Sequence, residues 1–186
     1  MSPAQPEGVP LPGAGELPEA VRASSAAPGA APRPFCVYLH VPYCRVRCGY
    51  CDFNTYTNLD MGPGASAGDF VDTLAGELAL AAAAMDRAGL PRRRARTVFL
   101  GGGTPTVLPA GDLVRMLDLV RRTWGLAPGA EVTTEANPET VDERYLATLA
   151  RAGFTRVSIG MQSAVPRVLA VLDRPHTPER VPLVVD

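Results

Sequence analysis

Three cysteines, Cys44, Cys48 and Cys51, fall within eight residues in the pattern C-x3-C-x2-C. Three thiolates in one short loop can each take one iron of a cubane cluster. The fourth iron then keeps an open site that can chelate a small ligand. Competing readings fit less well. Structural zinc asks for four ligands, usually as two separated pairs, and only three Cys are local here. A disulfide would leave an odd Cys in the loop, and a catalytic thiol would not explain three. The remaining Cys36 reads as a small buried residue on the preceding strand.

Other chemistry-bearing residues sit further along. Gly101-Gly-Gly-Thr-Pro105 lacks the Lys of a Walker A loop and the spacing of G-x-G-x-x-G. Its glycines would let a ligand approach the backbone, and a plain tight turn explains them equally well. Glu135 suits ribose hydroxyls, as acidic residues do in dinucleotide folds. It can also be a surface Glu before the Asn137-Pro138 turn. His40 reads either as a polar site residue or as a satisfied core histidine. The run Arg92, Arg93, Arg94 and Arg96 reads as a solvated loop in preference to an anion site.

The elements that must hold these residues alternate in type. Residues 35–41 predict a strand that ends at Pro42, with Phe35, Val37, Leu39 and Val41 on one face. Cys36, Tyr38 and His40 share the other. A long loop through Gly62-Pro63-Gly64 leads to Asp69 as an N-cap and a helix over 70–87, stopped by Gly89 and Pro91. Strands are expected at 97–100, 131–134 and 156–159. Helices are expected at 110–124, 142–152 and 166–172, and 181–185 reads as the start of another element. Alternation of this kind implies βαβ crossovers and a parallel sheet, whose sites gather at the C-terminal ends of strands. The cysteine loop, the glycine run, Glu135 and the segment after Ile159 each follow a strand, so four separate segments converge on one rim.

The stretch YLHVPYCRVRCGYCDF, Tyr38 to Phe53, resembles the signature of the radical S-adenosylmethionine (SAM) family that includes oxygen-independent coproporphyrinogen III oxidase and the heme chaperone HemW. The resemblance runs from about Phe35 to Arg174. It implies an α/β fold of the (β/α) barrel type, a [4Fe–4S] cluster on Cys44, Cys48 and Cys51, and SAM as cofactor. Reduction of SAM at such a cluster releases a 5′-deoxyadenosyl radical. GGGTP resembles the motif that holds the methionine end of SAM, placing Gly102, Gly103 and Thr104 there. TTEANPE resembles the motif that carries the ribose-binding Glu, here Glu135. Tyr38, Tyr50, Gln162 and Arg174 fall where the family has SAM-contacting residues. The oxidase branch is expected to carry a further Cys two residues after the third ligand. This chain has Phe53 there, which is closer to the chaperone branch. Heme or porphyrin, a heme-acceptor protein and an electron donor are the implied partners, with heme binding expected of a longer form of the protein. The family barrel has about six βα units and a C-terminal domain, whereas four strands are readable here, so the core over 35–186 reads as incomplete. An oxidase or an inactive remnant are the alternative outcomes.

Bulk properties agree with a cytoplasmic protein. The hydrophobic fraction is 46% and the charged fraction 20%, ordinary for a soluble domain, and net charge is −1, which gives no footprint for nucleic acid or a membrane surface. No apolar run reaches the roughly 18 residues of a membrane span, and no secretory signal pattern opens the chain. All 18 basic residues are Arg, which reads as coding bias. Residues 1–34 hold eight Pro, eight Ala and four Gly without apolar periodicity, so they cannot bury enough surface to offset ordering entropy and are expected to be disordered.

Overall fold

The computed structural model describes Leu17, Glu19 and residues 33–174 and 176–185. Most of the Pro/Ala-rich segment expected to be disordered lies outside the described residues. Four strands form one parallel sheet in the order β1-β2-β3-β4: β1 Cys36–Val41, β2 Ala95–Gly102, β3 Leu126–Ala136 and β4 Arg156–Ile159. Helices α1 Phe70–Arg87, α2 Ala110–Thr123 and α3 Glu143–Ala152 make the three crossovers. Two short helices follow β4, α4 Pro166–Val171 and α5 Arg180–Val185.

Sequence alternation accounts for the layering. Val37, Leu39 and Val41 of β1 are buried, as are Val98 and Leu100 of β2 and Val132 of β3. They pack on Leu74 and Leu78 of α1, on Leu113, Met116, Leu117 and Val120 of α2, and on Leu149 of α3. Parallel pairing sets Leu39 beside Leu100 and Leu100 beside Thr134, which aligns the apolar rows. The opposite face carries Tyr38, His40, Phe99 and Thr133, and a surface ion pair joins Arg156 to Glu131 at 3.3 Å. No helix among the described residues is long and apolar enough to cross a membrane.

Three expectations are corrected by the structure. Cys36 is exposed, because the pleat puts it on the face of Tyr38, away from the helices that bury Val37 and Leu39. Asp69 sits at the N-cap position of α1 without capping it; its carboxylate accepts instead from the Gly64 amide at 2.9 Å. β3 begins five residues before the predicted strand, since Leu126 pairs with Ala95 ahead of a register shift. The run at 181–185, read as the start of another element, lies in the helix α5. By contrast, α3 is bounded as its residues demand. Asp142 accepts from the Tyr145 amide at 2.7 Å, and Gly153 closes the helix at φ 96°, where a side chain would be strained. The basic run lies on the surface, with Arg92 bound to Asp86 at 2.7 Å.

Candidate metal centre

The loop after β1 is pinned at several points. The Cys44 amide donates to Tyr56 O at 2.9 Å, and the Tyr56 amide donates to Pro42 O at 2.7 Å, folding the loop back on its own start. His40 Nε2 lies 3.0 Å from Asn54 O. A carbonyl only accepts, so Nε2 carries the proton and Nδ1 accepts from Tyr38 OH at 2.9 Å. With both nitrogens occupied and its ring beneath Gly102, His40 is a satisfied strut and not a group pointing at a ligand. Further along, the Gly49 amide donates to Leu172 O at 3.2 Å, which seats the turn after α4 on the loop.

The glycine run closes the other side. The Gly103 amide donates to Val41 O and the Thr104 amide to Tyr43 O, both at 2.8 Å, so the end of β2 is laced to the exit of β1. Gly102 adopts φ 110° and offers its amide to Glu135 Oε2 at 3.0 Å. One carboxylate oxygen of Glu135 is thereby committed to the backbone, which aims the side chain along the rim.

These segments surround one cavity of about 650 Å³. Cys44, Cys48, Cys51, Tyr50, Gly102, Gly103, Thr104, Glu135, Gln162 and Arg174 all line it. Tyr38 does not. It lies on the open sheet face, 55% exposed, stacked on Phe99 with ring centroids 6.1 Å apart. The structure thus gathers every predicted site residue but Tyr38. Sequence reasoning missed Arg45, Arg47 and Thr140, which also line the cavity, and His176, which bonds to Arg174 at 3.1 Å. Arg45 and Arg47 occupy the variable positions between two ligands, so the pattern itself gives them no signal.

The donor set fits a cubane. Among the described residues no three His, Cys, Asp or Glu side chains converge on a single ion position. A cubane does not require that, because each thiolate takes its own iron. Burial pushes the Cys44 thiol up, and the Thr104 and Thr55 hydroxyls pull it back. Thr104 Oγ1 stands 3.7 Å from Cys44 Sγ, and Thr55 Oγ1 is buried without another hydrogen-bond partner. A thiolate at Cys44 would accept from both. Arg174 Nη1 donates to Cys48 Sγ at 3.4 Å, which places a permanent cation on a second sulfur. Cys36, at the far end of β1, is about 16 Å from the loop by strand rise and belongs to another region.

The family model for the radical SAM superfamily matches residues 38–182. The chain belongs to the radical SAM superfamily. That membership implies a [4Fe–4S] cluster and SAM, the same ligands for which the cavity supplies thiolates, open backbone and a carboxylate. Among curated relatives, the heme chaperone HemW of Mycobacterium tuberculosis is 53% identical over 156 residues, covering 82% of this chain and 38% of the relative. The heme chaperone HemW of Escherichia coli is 38% identical, covering 78% of this chain and 36% of its own length. The chain therefore spans less than two fifths of these radical SAM relatives. Among solved structures, the coproporphyrinogen III oxidase HemN of Escherichia coli superposes with a TM-score of 0.68 at 27% identity, over 80% of this chain and 32% of that one. The four-stranded parallel sheet is accordingly the radical SAM fold over that shared part.

Glu135 offers a direct test of the rim. Replacing it with Ala removes a carboxylate and leaves the Gly102 amide without its acceptor. SAM affinity should fall by about 1–3 kcal/mol, roughly 5- to 150-fold, the scale of hydrogen bonds to a charged group. Calorimetry on the reconstituted chain reads this directly, and an unchanged dissociation constant would remove Glu135 from the ligand site.

Proposed function

We propose that this chain is the cluster- and SAM-binding part of a heme chaperone of the HemW type. Cys44, Cys48 and Cys51 would hold the [4Fe–4S] cluster. Gly102, Gly103 and Thr104 would receive the methionine end of SAM through backbone groups, and Glu135 its ribose. Gln162, Tyr50 and Arg174 would complete that site, with Tyr38 supporting it from the sheet face. When bound, the cluster supplies an electron to SAM. The chain's own part is to keep the thiolates in a pinned loop and to exclude bulk from the rim.

One observation favours carrier over oxidase. Phe53 stands 60% exposed at the cavity edge, where the oxidase branch is expected to have a Cys. A phenyl ring neither binds metal nor transfers a proton. The second reading, oxidative decarboxylation of coproporphyrinogen III, draws on the likeness to HemN. Heme binding and delivery, the acceptor protein, the electron donor and a cytoplasmic location belong to the proposal for the whole protein, together with the division into an N-terminal segment at 1–34 and a radical SAM core at 35–186.

The readings separate in one anaerobic experiment. With reductant and SAM, neither this chain nor a longer product of its reading frame should convert coproporphyrinogen III to protoporphyrinogen IX, as read by mass spectrometry. A heme titration of the longer product should saturate. Repeated SAM-dependent loss of two carboxyl groups per porphyrinogen would establish the oxidase instead.

A further inference from the structure

The cavity's most heavily anchored side chain is Arg174. Its guanidinium makes three directed bonds: Nη1 to Cys48 Sγ at 3.4 Å, Nη2 to Gly160 O at 2.7 Å, and Nε to His176 Nδ1 at 3.1 Å. Arginine nitrogens only donate, so Nδ1 of His176 is the bare acceptor. The imidazole is buried, 3% exposed.

The surrounding backbone is shaped for this arrangement. A Cβ on Gly160 would fall 2.6 Å from Arg174 Nη2, so glycine leaves the gap that the guanidinium fills. Asp173, immediately before the arginine, sits at φ 50°. A non-glycine residue persists in that left-handed conformation only where its surroundings impose it. Those surroundings are the cluster loop. Leu172 O accepts from the Gly49 amide at 3.2 Å, and a Cβ on Gly49 would meet Asp173 Oδ2 at 2.5 Å. A strained turn is thus clamped to the residue that follows Cys48.

We infer that His176 is a positioning residue for the cluster, holding the Arg174 guanidinium against the Cys48 sulfur and thereby setting the cluster's reduction potential. The inference rests on the proposed ligation by Cys44, Cys48 and Cys51. Donors and positive charge at a ligand sulfur favour the more negative, reduced cluster, and groups behind the first ligands tune it by orienting such donors. Without His176 the Gly160 carbonyl alone fixes Arg174, and the long side chain can rotate its charge away from sulfur. Loss of His176 therefore makes the cluster harder to reduce without removing any ligand.

The test is an EPR-monitored potentiometric titration of the reconstituted chain, beside iron and sulfide analysis. His176→Leu is expected to keep full iron and sulfide and to shift the midpoint to more negative potential. Arg174→Gln should shift it the same way, and the double variant no further, since both remove one interaction. His176→Asn, whose Oδ1 takes the position of Nδ1 and can still accept from Nε, should stay near the parent value. An unmoved midpoint in His176→Leu, or additive shifts in the double variant, would overturn the inference. If His176→Leu does not fold, the pair His176→Asn and His176→Gln decides. Gln carries its amide oxygen one bond beyond the Nδ1 position and should shift alone, and equal midpoints would overturn the role. A parent chain that takes up no iron would instead overturn the cluster assignment beneath it.

Discussion

Cys44→Ala, Cys48→Ala and Cys51→Ala are each expected to abolish the cluster, while Cys36→Ala leaves it intact. Anaerobic reconstitution of the parent should yield about four irons and four sulfides per chain, as for a cubane held by three thiolates. The expected loss is total because no substitute lies near. The chain has four Cys and two His. Cys36 is a strand length away, the His40 nitrogens are both engaged, and His176 Nδ1 is held by Arg174. Iron and sulfide analysis with the visible absorption of the cluster reads the outcome. Iron lost from Cys36→Ala, or retained in any one of the other three, would show the ligand set to be wrong.

The contrast between Cys36 and its neighbours shows what was readable in the chain. Alternation placed Val37, Leu39 and Val41 on the core face, and the sheet has them there. The same alternation put Cys36 with Tyr38, yet residue type argued for burial. The pleat won, because a residue's face is set by its backbone position and the core helices pack on the other side. α1 was readable to the residue, because an Ala/Leu-rich run ends at Gly89 and Pro91. The N-cap was not, because Asp69 has a competing donor in Gly64 that only the folded loop supplies. β3 extends beyond the expected 131–134 because Leu126 pairs with Ala95, which carries Pro128 and Gly129 within the strand although both residue types favour turns.

The site followed the same logic. Residues that follow strands were found, because topology delivers strand ends to one rim whatever the details of packing. Tyr38 was assigned by resemblance alone, and the cavity does not include it. His176 could not be found. Its partner is two residues away, but the bond depends on the positive φ of Asp173 and on a turn seated against Gly49, and neither has a local signature. Arg174 carries the same lesson: its approach to Cys48 spans 126 residues of chain.

Glycine substitutions separate the rim from the rest of the fold, because one chemical change should have opposite signs at two places. Gly76 lies mid-helix in α1, and a Cβ there meets nothing within 4 Å. Gly76→Ala should stabilise the chain by about 0.5–1 kcal/mol, through the lower entropy lost on folding. At Gly103 a Cβ would fall 2.5 Å from Tyr43 O, 2.9 Å from Val41 O and 3.0 Å from the Pro42 carbonyl carbon. All three are backbone atoms of the segment leading into Cys44, so no side chain can rotate aside. The chain must part the exit of β1 from the end of β2, which stretches the two 2.8 Å bonds from Gly103 and Thr104. Overpacking of this kind costs about 1–3 kcal/mol, and each lost hydrogen bond about 0.5–1.5 kcal/mol more. Gly103→Ala should therefore destabilise by roughly 2–6 kcal/mol, lowering the melting temperature by about 2–4 °C per kcal/mol for a chain of this size. The same displacement moves Thr104 away from the Cys44 sulfur and turns the Gly102 amide from Glu135, so SAM affinity should fall along with stability. Thermal denaturation and SAM calorimetry on the two variants measure both effects. If Gly103→Ala melts with the parent and binds SAM unchanged, the β1 exit is soft, and the rim is not the rigid cradle that these contacts describe.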